Sequence, residues 1–316
     1  MNDLGTHAQD LRIWRNFIAT PGFYTPRKHL IGPGTKVFTM GSCFALEVRR
    51  ALQRSGQEVF PNYLSVKYRL GENQFSSFTE TCEFQPHYDT FGIRQEFETA
   101  LGLWKDRRDG FLAYSGTKLN KQLGWDTIYQ DPFRKVTWGK SRALLDEVVD
   151  QVDRVVIDGV ATADVLVITL GLTEAWRGNK TGKYFCQVPR AEGENGATFH
   201  PSTFQDNYDN MRAAFDMLFA RYPDKQVILS VSPIPLDSTF RKHMDVGTAN
   251  TESKSILRAV AGQICREYDS NVTYFPSFEM ANLLPREHVF QDDVRHVQPA
   301  FADRVVKGFL ASFSKE

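Results

Sequence analysis

Lys36-Val37-Phe38-Thr39-Met40-Gly41-Ser42-Cys43-Phe44-Ala45 is a short apolar run that breaks at a Gly-Ser pair and continues into helical periodicity. Beta-branched and aromatic residues at Val37, Phe38 and Thr39 favour a strand, and Gly41 opens backbone angles closed to other residues. Leu46, Val48, Ala51 and Leu52 then return at helical spacing. The stretch predicts a strand, a tight turn carrying a hydroxyl, and a helix over residues 45–55 that stops at Gly56. Ser42 falls at the mouth of that helix, where unpaired backbone N–H groups and the positive end of the dipole favour developing negative charge. A serine there suits a nucleophile, and it suits a helix cap equally well.

Working outward, the alternation repeats. Residues 58–60 read as a second strand. Leu144, Leu145, Val148, Val149, Val152 and Val155 recur at helical spacing before the unbroken apolar run Val165-Leu166-Val167-Ile168-Thr169-Leu170. A strand without polar alternation is buried on both faces, as in the middle of a parallel sheet. A helix over 204–221, capped from Ser202 or Thr203, precedes a strand at 226–231. A helix over 253–268 precedes a strand at 272–275, and an amphipathic helix over 300–313 closes the chain. Strands alternating with helices of this length predict an α/β fold, a three-layer α/β/α flavodoxin-like sandwich around a central parallel sheet. Its core is expected from residues 30–64 and 150–316, after an N-terminal extension over 1–29. Residues 65–149 form an insertion rich in aromatics such as Phe84, Trp104, Trp125 and Trp138. A helix near 94–104 and short antiparallel strands near 111–115 are expected inside it.

The 316 residues carry 38 basic and 38 acidic side chains, a balance without the footprint of a nucleic-acid or anionic-membrane binder. No window approaches the length of a transmembrane helix, and the first residues lack a basic region followed by an apolar core, so a cytoplasmic location is expected. Cys43, Cys82, Cys186 and Cys265 lie too far apart for a zinc motif or a disulfide framework. Reduced, mostly buried thiols and no metal site are expected. Oligomeric state leaves no signal in the sequence.

Near the C-terminus, Asp293 and His296 stand three apart just before the last predicted helix. A turn or one helical pitch brings such residues to one side, so a single segment can present an imidazole and the carboxylate that fixes its tautomer. Gly41-Ser42-Cys43-Phe44-Ala45 resembles the signature of the GSCFA family, a bacterial group similar to the SGNH (GDSL-type) hydrolases and O-acetyltransferases. The order found here, Ser first and Asp-His last, is the order of that group. Either block alone fits an ordinary cap or turn; their joint occurrence carries the functional reading.

The resemblance implies an SGNH-type fold and a serine-dependent acyl-ester enzyme, a carbohydrate O-acetylesterase or an O-acetyltransferase of polysaccharide metabolism. Ser42 would be its nucleophile, His296 its base and Asp293 the group orienting the imidazole. It also points to Leu170-Gly171-Leu172-Thr173-Glu174-Ala175-Trp176 as a block supplying oxyanion or substrate contacts, with donors near Gly171 and Thr173. The usual wording there is Gly-x-Asn-Asp, so Thr173 stands where the Asn would be and Glu174 where the Asp would be; a Thr hydroxyl reaches less far than an amide. For a further block whose Gly N–H joins the oxyanion hole, the resemblance offers Gly71 or Asn62. It implies no cofactor, with acetyl-CoA as acyl donor if the enzyme is a transferase, and a small-molecule or carbohydrate ester as partner. Cys43 is the competing nucleophile, but if Ser42 points into the cleft the next residue is expected to point elsewhere. Glu174 is a second candidate base, and His87, His200, His243 and His288 are expected to be ordinary surface or hydrogen-bonded histidines. The missing Asn favours the alternative of a catalytically silent module that binds a glycan or a protein.

Overall fold

Val165–Leu170 is buried along its whole length and sits at the centre of a five-stranded parallel sheet. The computed structural model describes residues 14–15, 28–71, 74–77, 86–135, 137–188, 193–293 and 296–315. In chain order its main elements are β1 (Lys36–Gly41), α1 (Cys43–Arg54), β2 (Glu58–Phe60), α2 (Thr90–Ala100), α3 (Arg142–Thr162) and β3 (Val165–Leu170). There follow β4 (Glu174–Gly178), β5 (Tyr184–Phe185), β6 (Ala197–Pro201), α4 (Phe204–Arg221), β7 (Gln226–Val231), α5 (Val246–Glu267), β8 (Val272–Phe275) and α6 (Pro299–Phe313).

The sheet runs β8-β7-β3-β1-β2, with every pairing parallel. Counting only its own strands, this is the order 2-1-3-4-5 of flavodoxin-like sheets. Period-two alternation sends neighbouring side chains to opposite layers, and here both layers are apolar. Phe38, Leu166, Ile168 and Leu229 pack with Val152 and Val156 of α3, Phe215 of α4 and Leu257 of α5. Val37, Val165, Val167 and Ile228 pack on the other face with Val48 and Leu52 of α1 and with Phe301, Val305 and Phe309 of α6. Helices therefore cover both faces, giving the three layers the alternation predicts.

Some boundaries differ from the sequence reading for local reasons. Helix α2 begins at Thr90 because Asp89 caps it, accepting from the Gly92 N–H at 2.8 Å. Helix α5 begins at Val246, not near 253, because Asp245 accepts from the Thr248 N–H at 2.9 Å. Beyond β3 the chain forms an antiparallel sheet, β5-β4-β6. Residues 65–149, an aromatic-rich stretch, contain a second antiparallel sheet of Leu112–Ser115, Thr127–Gln130 and Trp138–Gly139, and a hairpin of Lys67–Gly71 with Gln74–Ser77. Cys43, Cys186 and Cys265 are in no disulfide, and Cys82 lies outside the described residues. Among the described residues, no helix is long and apolar enough to cross a membrane.

Candidate active site

In a sheet of this order the crevice lies beyond the carboxyl ends of the strands, where the connections from β1 and β3 diverge. A cavity of about 290 Å³ occupies that place. Ser42 and Cys43 follow β1 in its wall, Gly171 and Leu172 follow β3, and Ser232 follows β7. Trp176 and Phe240, edge to face at 4.9 Å, close one side.

Gly41 has φ +123°, and a Cβ there would stand 2.1 Å from the Thr169 carbonyl oxygen, so the turn requires glycine. The approach lets the Ser42 N–H donate to Thr169 Oγ1 at 2.8 Å. Ser42 Oγ shares a hydrogen bond with the same Thr169 hydroxyl at 2.8 Å and accepts from the Phe44 N–H at 3.3 Å. Ser42 is thus the cap of α1, and it is 1% exposed. Cys43, expected to point elsewhere, is the first residue of the helix and lines the cavity, half-buried.

The segment 86–89 crosses the gap between the ends of β1 and β3. The His87 N–H donates to the Gly41 carbonyl at 2.9 Å, and the Tyr88 carbonyl accepts from the N–H groups of Gly171 and Leu172, each at 2.9 Å. Gly171 permits this, since a Cβ there would lie 2.7 Å from the Tyr88 oxygen. Tyr88 and Asp89 consequently line the cavity. Asp89 is 5% exposed, and burial pushes its carboxyl up to about 6 against the pull of the backbone N–H groups of Gly92 and Phe91. Sequence reasoning missed Asp89, although an Asp ahead of a predicted helix is a cap signal. It also missed Lys254 of α5, which is 2% exposed and donates through Nζ to the Gly171 carbonyl at 2.7 Å. Burial pushes this ammonium down to about 7, with the charge of Cys43 acting in the opposite sense.

The other candidate residues take different places. Glu174 reaches the cavity wall, but its carboxylate accepts from Thr239 Oγ1 at 2.5 Å and the Phe240 N–H at 3.1 Å, and pairs with Arg241 Nε at 3.4 Å. It therefore holds the loop that carries Phe240. Thr173 is fully buried; its N–H donates to Ser253 Oγ at 3.0 Å, and its hydroxyl finds no hydrogen-bond partner among the described residues. Asn62 is exposed and stands outside the cavity wall, and Gly71 ends a hairpin strand of the insertion. Asp293 and His296 do meet each other: the His296 N–H donates to Asp293 Oδ1 at 2.9 Å, and ring Nδ1 pairs with Oδ2. Their side chains are 48% and 62% exposed. Asp293 lines a neighbouring cavity of about 720 Å³ that shares Pro235, Leu236 and Asp237 with the first, whereas His296 lines neither.

The chain is similar to a family 3 carbohydrate esterase of Clostridium thermocellum, at 9% identity over 88% of this chain and 94% of that one, with a TM-score of 0.34. An acetyl esterase mutant solved with an acetate ion gives 9% identity, coverage of 86% and 93%, and a TM-score of 0.37. A family two carbohydrate esterase of Clostridium thermocellum, solved with cellohexaose, gives 13% identity, coverage of 92% and 65%, and a TM-score of 0.29. No curated protein matches the sequence. Residues 36–309, from the first strand of the sheet to the last helix, match the GSCFA family, and the chain belongs to it.

Proposed function

We propose that this chain is an acyl-ester enzyme, a carbohydrate O-acetylesterase or O-acetyltransferase, that forms a covalent acyl intermediate on the Ser42-Cys43 turn. The observation that carries this reading is the position of the turn. It lies at a helix N-terminus, in the wall of the cavity at the sheet's switch point, and Gly41 is fitted to hold it there. The family resemblance assigns the nucleophile to Ser42 and the base to His296, held by Asp293. Acetyl-CoA is the proposed donor of a transferase form acting in the cytoplasm, and an O-acetylated sugar the proposed substrate of a hydrolase form.

The two forms differ in whether water or a sugar hydroxyl resolves the acyl-enzyme. Incubation with p-nitrophenyl acetate and with acetyl-CoA, with and without a sugar acceptor, reads aryl alcohol against CoA release. Turnover that disappears in the double variant Ser42→Ala/Cys43→Ala is the expected result. Turnover that survives in it would place the chemistry elsewhere.

A silent binding module is the second reading, favoured by one specific observation. The N–H groups of Ser42, Gly171 and Thr173, the expected oxyanion donors, donate to Thr169, Tyr88 and Ser253. Saturable binding of an oligosaccharide without turnover of either donor would select it.

A further inference from the structure

We infer that the cavity beside the Ser42-Cys43 turn is an acyl-chain pocket, fitted to a straight acyl group of about six carbons, with acetyl the shortest it accepts. The inference rests on the acyl-ester reading above and names the acyl half of its substrate. Apolar side chains reach the wall from several directions: Leu172 after β3, Trp176 of β4, Phe185 of β5, and Ile234, Leu236 and Phe240 from the loop after β7. Phe240 meets Trp176 edge to face at 4.9 Å and Phe199 of β6 at 5.8 Å, so the aromatic side is braced by two neighbouring strands.

Much of the polar lining is already committed within the protein. Ser42 Oγ is engaged by Thr169 and the Phe44 N–H, and Ser232 Oγ accepts from the Ile234 N–H at 3.3 Å. Asp89 caps α2, and Glu174 holds Thr239, Phe240 and Arg241. Asp237 and Ser238 are exposed, and Asp237 is shared with the neighbouring cavity. Gln187 keeps an amide Nε2 with no hydrogen-bond partner among the described residues; one such donor serves an ester carbonyl but not a ring of hydroxyls. A sugar ring here would bury hydroxyls against groups already paired, which costs free energy, whereas methylenes gain by leaving water.

The volume fits the same occupant. At about 290 Å³ the space is at the small end for an enclosed ligand. A methylene needs about the 30 Å³ share of one water molecule, so acetyl leaves most of the cavity empty, while a chain of about six carbons fits together with its carbonyl. The alcohol half of the ester, a sugar included, has room in the adjoining cavity of about 720 Å³, where Asn250, Thr251, Asn282 and Arg286 offer polar groups. Leu236 lies in both walls, and its N–H donates to Asn250 Oδ1 at 3.1 Å, which fixes the stretch between the two spaces.

Hydrolysis of p-nitrophenyl acetate, butyrate, hexanoate and octanoate by the full chain reads the acyl half alone, because the aryl alcohol is the same throughout. The expected kcat/KM rises about two- to fourfold per added methylene up to hexanoate and levels off by octanoate. Ile234→Trp, which puts a larger ring into the wall, should lower the hexanoate-to-acetate ratio by about tenfold or more, and Phe240→Ala, which opens the aromatic side to water, should lower it as well. A flat series, a preference for acetate, or a ratio that Ile234→Trp leaves in place overturns the acyl-chain pocket and leaves the acyl-ester reading intact. A second measurement needs no turnover. Hexanamide, neutral and resistant to hydrolysis, should raise Tm where acetamide at the same concentration does not, and Ile234→Trp should remove the difference. Hexanamide binding with no ester turned over overturns the acyl-ester reading alone; neither binding nor turnover overturns both. Displacement of hexanamide by cellobiose puts a sugar in this cavity and overturns the acyl assignment.

Discussion

In the central sheet, β3 is buried from Val165 to Leu170 and meets apolar side chains on both faces. In the aromatic-rich lobe before β3, a large side chain with no exposed surface is Arg134. Its guanidinium grips Glu96 of α2 through Nη2 at 2.6 Å and Nε at 3.2 Å, and Asp153 of α3 through Nη1 at 2.6 Å. Arg107 adds a bond to Asp153 at 2.6 Å and a close pair with Asp131, whose other oxygen accepts from the Phe133 N–H at 2.9 Å. One region is held by apolar surface removed from water, the other by charges that need one another. The first loses stability in proportion to lost volume, whereas the second fails when one partner is removed and its counter-ions stay buried.

The largest expected effect breaks the charged region. Arg134→Met leaves Glu96 and Asp153 without their shared cation and should cost about 3–5 kcal/mol in urea unfolding at pH 7. Burial pushes Glu96 up, but Arg134 and the neighbouring charges outweigh it and hold the carboxyl below its usual value of 4.5. A depressed carboxylate contributes stability above its unfolded pKa and loses it as pH falls through the folded one. The gap between wild type and variant should therefore narrow below about pH 4.5, and a gap independent of pH would contradict this account.

Next in size is Leu166→Ala, which opens space in the apolar sheet and should cost about 3 kcal/mol. No titrating group is involved, so the same loss should appear at pH 5 and at pH 8. The smallest effect lies at the boundary between the regions. Asp89→Asn keeps a capping oxygen for Gly92 and removes a buried charge. Because the folded pKa is raised from 3.8 to about 6, the cost of Asp89 grows as pH rises through that window. The variant should be more stable by about 1–2 kcal/mol at pH 7, with the gain gone near pH 4 in thermal melts.

This contrast also explains what the sequence disclosed. The sheet was legible because burial on both faces leaves β3 without a polar residue except Thr169, and because helical spacing marks α3 and α4. Thr203 caps α4 as one of the two candidates for that place. The lobe was not legible, because arginines and acids read as surface until their partners are known, and those partners lie up to 46 residues apart. His87 shows the same limit: it is buried, its ring nitrogens find no hydrogen-bond partner among the described residues, and burial pushes the imidazole down to about 4. At the site, the turn at Ser42 and the proximity of Asp293 to His296 could be read from spacing. The engagement of the Ser42 hydroxyl by Thr169 could not, because that partner sits on a neighbouring strand 127 residues away.

The carbonyl of Tyr88 takes hydrogen bonds from two consecutive amides, Gly171 and Leu172, that belong to the loop after β3. Those amide protons are therefore guarded by an acceptor from a distant part of the chain. In hydrogen exchange they should report the release of segment 86–89 and not the fraying of the sheet, so deuterium uptake at two positions in the cavity wall becomes a gauge of how firmly the lobe is docked.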